Sequence, residues 1–138
     1  GADMAPITKA SLAGKKKVIV TVPSLDTPVC QVETRKFNEQ AAALGDNVVV
    51  VIASADLPFA AKRFCTTEGL ERVKSGSDLR DRDFGRRWGV AIADGPLQGV
   101  TARAVFVVDE HDKVTYSELV PEIAQEPNYE AALAALKG

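Results

Sequence analysis

The sequence is short of the residues that most cofactor and scaffold chemistry needs. Its 138 residues include two cysteines and one histidine. Two cysteines are too few for a disulfide-stapled scaffold, and with a single histidine they are too few for a structural zinc site. The cysteines, Cys30 and Cys65, stand 35 positions apart, and no C-x-x-C pair exists. That excludes a dithiol oxidoreductase with neighbouring thiols. The formal charge of -2 gives no electrostatic case for nucleic acid or an anionic membrane surface. No apolar run approaches transmembrane length. Gly1-Ala2-Asp3-Met4 lacks the charged, apolar and cleavage regions of a secretory signal. The expectation is a cytoplasmic protein with no metal or cofactor and no nucleic-acid or membrane partner.

What the sequence does contain is the pattern of one α/β domain over residues 1–138, long enough to bury its own core. Val18-Ile19-Val20-Thr21-Val22 is a β-branched run suited to a strand buried on both faces. From Thr27 to Leu44, Val29, Phe37, Ala41 and Leu44 recur near helical spacing. Thr27 can cap that helix, with Pro28 at its first position and Gly45 closing it. Val48 to Ala53 predicts a second strand, and a helix starting at Asp56 or Leu57 runs through Cys65 toward Gly69. Ser75 to Gly89 is polar, with Phe84 and Trp88 suggesting a short half-buried helix. Gly95-Pro96-Leu97 marks a turn. Arg103 to Val108 and Lys113 to Leu119 predict two strands joined by a hairpin-type connection, and Asn128 to Leu136 a final helix. The order β-α-β-α, then β-β-α, implies a thioredoxin-like mixed sheet with helices on both faces.

In that arrangement, Cys30 falls on the first turn of a helix that follows a strand and a proline-marked loop. Free amides and the positive end of the helix dipole favour a thiolate there. The plainer reading is a small hydrophobe packed at a helix start. Thr27, one turn earlier, puts a hydroxyl beside the sulfur, and Pro23, lacking an N–H, walls off one side. Arg103 opens an apolar strand at a sheet end. It is either a solvated flanking charge or a guanidinium that favours the thiolate and donates to bound oxygen atoms. Cys65 is either a core residue beside Phe64 or a thiol that condenses with an oxidised Cys30, which requires Cα atoms within about 7 Å. His111 and the run Lys15-Lys16-Lys17 read as solvated residues, and Arg86, Arg87 and Trp88 as part of a half-buried helix.

These residues also carry a family pattern. Pro23-Ser24-Leu25-Asp26-Thr27-Pro28-Val29-Cys30 resembles the peroxiredoxin motif P-x-x-x-T-x-x-C. Asp56-Leu57-Pro58-Phe59 with Arg63-Phe64-Cys65, and Ala102-Arg103-Ala104-Val105-Phe106-Val107, are similar to segments of its bacterial, atypical two-cysteine branch. The resemblance runs from about Leu12 to the C-terminus. Members usually begin with a β-hairpin and an A-P-D-F segment, which is missing here.

The resemblance implies a peroxidase acting on hydrogen peroxide and alkyl hydroperoxides. Cys30 would be peroxidatic and Cys65 resolving, with an intramolecular disulfide between them that thioredoxin reduces. Thr27 would hydrogen-bond the peroxide, Arg103 would hold the thiolate and polarise the leaving oxygen, and Pro23 would shield the sulfenic acid. A homodimer is implied as well. The rival reading is a redox sensor in which the same disulfide reshapes a binding surface.

Overall fold

The computed structural model of the chain describes residues 14–44, 47–69, 73–77, 92, 97–98, 100–111, 113–120 and 125–137. Five strands form one sheet. They are β1 (Lys16–Thr21), β2 (Val48–Ser54), β3 (Val73–Ser77), β4 (Ala104–Val108) and β5 (Val114–Leu119), in the spatial order β3-β2-β1-β4-β5. Among the described residues there are three helices, α1 (Pro28–Leu44), α2 (Pro58–Thr67) and α3 (Tyr129–Lys137).

The apolar β1 run is central because it is buried on both faces. It pairs in parallel with β2, Thr21 opposite Ala53, and antiparallel with β4, Thr21 opposite Ala104. Parallel neighbours need a crossover helix, and α1 and α2 supply the two crossovers. Both crossovers step the same way along the sheet, so a common hand puts both helices on one face. The packing agrees. Val18, Val20, Val22, Val50, Ile52, Val105 and Val107 form one buried cluster with Phe37 of α1, Ala61 of α2 and Ala132 and Leu136 of α3. Phe37 and Tyr129 meet edge to face, their ring centroids 5.1 Å apart, which joins α1 to α3. The opposite face holds a second buried pair, Val49 and Val51. The short helix expected between Ser75 and Gly89 lies, apart from its first residues, outside the described residues, as do Gly45, Gly95 and Pro96.

The mixed thioredoxin-like sheet expected from the sequence is observed. The three described helices all pack on one face, and the helix expected within 75–89, which could cover the other, lies largely outside the described residues. Element bounds agree within two residues. The exception is β3, which the sequence reading missed. Val73-Lys74-Ser75-Gly76-Ser77 has one β-branched residue and is polar by composition. Its parallel ladder with β2, from Val50–Val73 to Ser54–Ser77, makes it a strand. The hairpin between β4 and β5 is closed by Asp109, whose Oδ1 accepts the amides of His111 and Lys113. His111 is exposed there, as the sequence implied.

Since Ile52 lies under both crossovers, Ile52→Ala should lower stability by about 2–5 kcal/mol. Val114→Thr on the exposed edge strand should change it by less than about 0.5 kcal/mol. Urea midpoints test this; equal midpoints for the two variants would show that the core is misplaced.

Candidate active site

β1 delivers the chain to the site through a pinned end. The Val22 amide donates to Ala53 O (3.0 Å), and Thr101 Oγ1 donates to Val22 O (2.7 Å). Pro23, buried, then turns the chain. The loop that follows is held from the side by one carboxylate. Asp56 Oδ1 accepts Ser24 Oγ, and Oδ2 accepts both the Leu25 amide and Ser54 Oγ, each at 2.8 Å. Because Asp56 sits at the root of α2, a single side chain ties the Cys30 loop to the Cys65 helix.

Pro28 opens α1, and the Thr27 carbonyl accepts the Gln31 amide at 3.0 Å, so Thr27 stands at the cap position expected for it. The Thr27 hydroxyl donates to Ser24 O at 3.2 Å, closing the loop on itself. Cys30 lies in the first turn, fully buried, and is a free thiol.

Arg103 resolves the choice left open by the sequence. It is 1% exposed, and its Nη2 lies 3.2 Å from Cys30 Sγ. Its other terminal nitrogen, Nη1, bonds Glu33 Oε2. Burial opposes the charge on Arg103, but Glu33 and Cys30 together outweigh it and raise its pKa. A fixed positive charge thus sits against the sulfur, where it stabilises negative charge.

Glu33 was not anticipated. The expected apolar stripe ran through Val29 and Phe37; the face that is buried runs through Cys30, Glu33, Thr34 and Phe37. Its polar members are satisfied locally, Glu33 by Arg103 and Thr34 by donating its hydroxyl to Cys30 O at 2.7 Å. A carboxylate three residues after Cys30, on the same helical face, was the available signal. Burial pushes the Glu33 carboxyl up, against the pull of Arg103, to about 7. The nearby acids Glu126 and Glu118 add to that rise. Arg103 satisfies one Glu33 oxygen; among the described residues the other, Oε1, is buried without a hydrogen-bond partner, which adds to the cost of charging the carboxyl.

Cys65 is half-buried on α2, packed against the common core beside Phe64. Burial pushes its thiol pKa up, and the Ser75 hydroxyl on β3 pulls the other way. Ser75 is level with Ile52 and hence with Val20 of β1. Two strand spacings therefore separate the Cys65 position from β1, on the order of 10 Å. Cys30 meets the Arg103 side chain from the start of β4, and Cys65 lies on the helix packed against β3, both as free thiols. Among the described residues no cluster of metal-ligating side chains occurs, and no helix is long and apolar enough to cross a membrane.

With this geometry in view, similarity to known proteins is specific. The Redoxin family model matches residues 1–133. The chain is 52% identical over 135 residues to a thiol peroxidase of Leptospira interrogans, covering 96% of this chain and 78% of that protein. It is 54% identical over 136 residues to a thiol peroxidase of Mycobacterium bovis, covering 99% and 81%. A solved peroxiredoxin-like protein from Aquifex aeolicus superposes with a TM-score of 0.85 at 50% identity, covering 90% of this chain and 71% of that one.

Two outcomes follow from the buried triad. Arg103→Ala should slow alkylation of Cys30 by iodoacetamide at neutral pH about 10- to 100-fold, the worth of a charge-assisted hydrogen bond. An unchanged rate would remove Arg103 from the site's chemistry. Glu33 titrates at 4.5 when unperturbed and at about 7 here. A carboxyl raised in this way binds its proton more tightly folded than unfolded. Its contribution to stability is greatest below its unfolded value and is lost as pH rises through the folded one. The melting temperature should therefore fall between roughly pH 5 and 8 relative to Glu33→Gln; parallel profiles would show that Glu33 does not titrate there.

Proposed function

The chain belongs to the redoxin family, and on that premise we propose that Cys30 is the peroxidatic residue of this thiol-dependent peroxidase. The observation that carries the assignment is the Arg103 guanidinium 3.2 Å from a buried sulfur at a helix start. Thiolate is the nucleophile that peroxide chemistry needs, and this pocket stabilises it.

In the first step the Cys30 thiolate attacks one oxygen of the peroxide. The O–O bond breaks, an S–O bond forms, and the leaving oxygen takes a proton to depart as water or an alcohol. Arg103 stabilises the charge that develops on that oxygen. Thr27 at the pocket lip donates to the peroxide once its hydroxyl leaves Ser24 O, and Pro23 excludes water from the sulfenic acid. In the second step Cys65 attacks the Cys30 sulfur. The S–O bond breaks, an S–S bond forms, and water departs. A thioredoxin-type dithiol then reduces the disulfide in exchange for its own oxidation. No metal or cofactor enters this cycle.

Cys30 is hydrogen-bonded to Arg103 at the start of β4, and Cys65 is seated beside Ser75 on β3, about two strand spacings from β1. Both are free thiols, whereas a disulfide needs Cα atoms within about 7 Å. The second step therefore needs α2 to leave its seat. α2 suits that role: Ala61 is its one fully buried residue, and Leu57 at its start makes no side-chain capping bond. Val32, Leu57 and Phe59 are exposed apolar residues on or beside α1 and α2. They support a homodimer formed near these helices, and reduction by a thioredoxin-type partner accords with a cytoplasmic setting.

Cys30→Ser should abolish peroxide consumption. Cys65→Ser should consume about one equivalent and then stall or over-oxidise, since its sulfenic acid has no internal partner. Intact mass after one equivalent of hydrogen peroxide distinguishes the two roles. The native protein should lose two hydrogens and both free thiols. Normal thioredoxin-linked turnover by Cys65→Ser would overturn the resolving role.

A further inference from the structure

α2 is fastened at both ends, by different means. At its root, Asp56 is locked to Ser24, Leu25 and Ser54 by three hydrogen bonds, and Ser77 Oγ donates to the Asp56 carbonyl. At its far end, Glu68 closes the helix through its amide, which donates to Phe64 O at 3.0 Å. The Glu68 carboxylate reaches across to α1, where Oε2 accepts Arg35 Nε at 2.6 Å. Cys65 lies inside the last turn that Glu68 closes, three residues before it. Among the described residues, the Arg35–Glu68 ion pair joins the Cys30 helix to the turn holding Cys65.

The pair limits how far Cys65 can move. The three residues from Cys65 to Glu68 rise about 4.5 Å along a helix and span about 10 Å when fully extended. With Glu68 on Arg35 and the last turn wound, Cys65 stays in its seat; unwinding that turn yields only about 5 Å and breaks the Glu68 amide bond to Phe64 O. Release of Glu68 removes that limit. The root sets no such limit, because nine residues separate Asp56 from Cys65 and span about 30 Å unwound. Arg35 also has a second acid in its field, Glu39, one turn along its own helix. Leaving Glu68 does not strand its charge.

We propose that Arg35 and Glu68 form a latch on the resolving step, and that Asp56 is the hinge about which the released helix unwinds. The inference rests on the reading of Cys65 as the resolving thiol. The latch holds Cys65 on β3 while peroxide reacts at Cys30. Its opening precedes attack on the sulfenic acid, in which the S–O bond breaks and water leaves as the disulfide forms. Both residues stand outside the Cys30 pocket, so they act on the position of Cys65 and not on peroxide.

The test is rapid-quench mass spectrometry of the full chain after one equivalent of hydrogen peroxide, reading sulfenic acid and disulfide separately. Arg35→Gln and Glu68→Gln should each speed disulfide formation about two- to fivefold, the scale of an exposed ion pair. Sulfenic acid should form at the unchanged rate. Raising salt should accelerate disulfide formation in the native protein and not in either variant. The exchange Arg35→Glu with Glu68→Arg should return the rate toward native, which a loss of packing would not do. Variants that resolve at the native rate with the native salt dependence would overturn the latch while leaving Cys65 as the resolving residue. A Cys65→Ser control with normal turnover would instead overturn the reading beneath it.

Discussion

The site depends on one buried positive charge. Arg103 enters where β4 begins, opposite the end of the central strand, and its guanidinium spans a sulfur on one side and a carboxylate on the other. Burying a charge costs several kcal/mol unless it is paired and hydrogen-bonded. That requirement is met by what α1 presents at its first two turns: a sulfur at position 30 and a carboxyl at position 33. A packed apolar trio could fill the same volume at equal or better stability. It would leave no group able to stabilise charge on the sulfur or on a departing oxygen. The polarity of this core face is a functional expense within an otherwise apolar cluster.

The two thiols have opposite structural needs, and the fold supplies them with different supports. Cys30 is placed by short, redundant ties: a β1 end bonded to both neighbouring segments, a buried proline, and a loop gripped by Asp56. Cys65 rides a ten-residue helix that rests lightly on an edge strand. A nucleophile works best where donors are already oriented, because no reorganisation is then needed when charge moves. A resolving thiol must travel, so it belongs on the unit with the lowest cost of local unfolding. Burial raises the pKa of Cys65 in its seat, which favours the protonated thiol there.

The sheet was legible where local pattern and tertiary role coincide. The β-branched runs of β1, β2 and β4 are buried on both faces and announce themselves; β3, with one valine in five residues, is a strand only because β2 offers it a ladder. At the site, Cys30 and its loop were legible because capping and proline chemistry are local. Arg103 was ambiguous for the opposite reason. Its meaning lies in partners 70 and 73 positions away, and arginine at a strand end is ordinarily solvated. Glu33 was passed over because a charged residue among helical positions is normally placed outside. The Arg35–Glu68 contact, 33 positions apart, has no sequence signature at all.

Glu33 also explains how the site can survive its own chemistry. In the proposed cycle, conversion of a Cys30 thiolate to a sulfenic acid would remove negative charge from beside Arg103. Glu33 keeps a carboxyl on the buried guanidinium through that change. With Glu33 in place the arginine stays where the next turnover needs it, while the attraction that holds the sulfur in its pocket weakens. The unpartnered Oε1 is consistent with this division of labour, since a carboxyl raised to about 7 can release or take up a proton as the charge beside it changes. In the proposed cycle, oxidation would thus loosen the attacking cysteine and leave its anchor standing, which is the order of events that a disulfide with a distant partner requires.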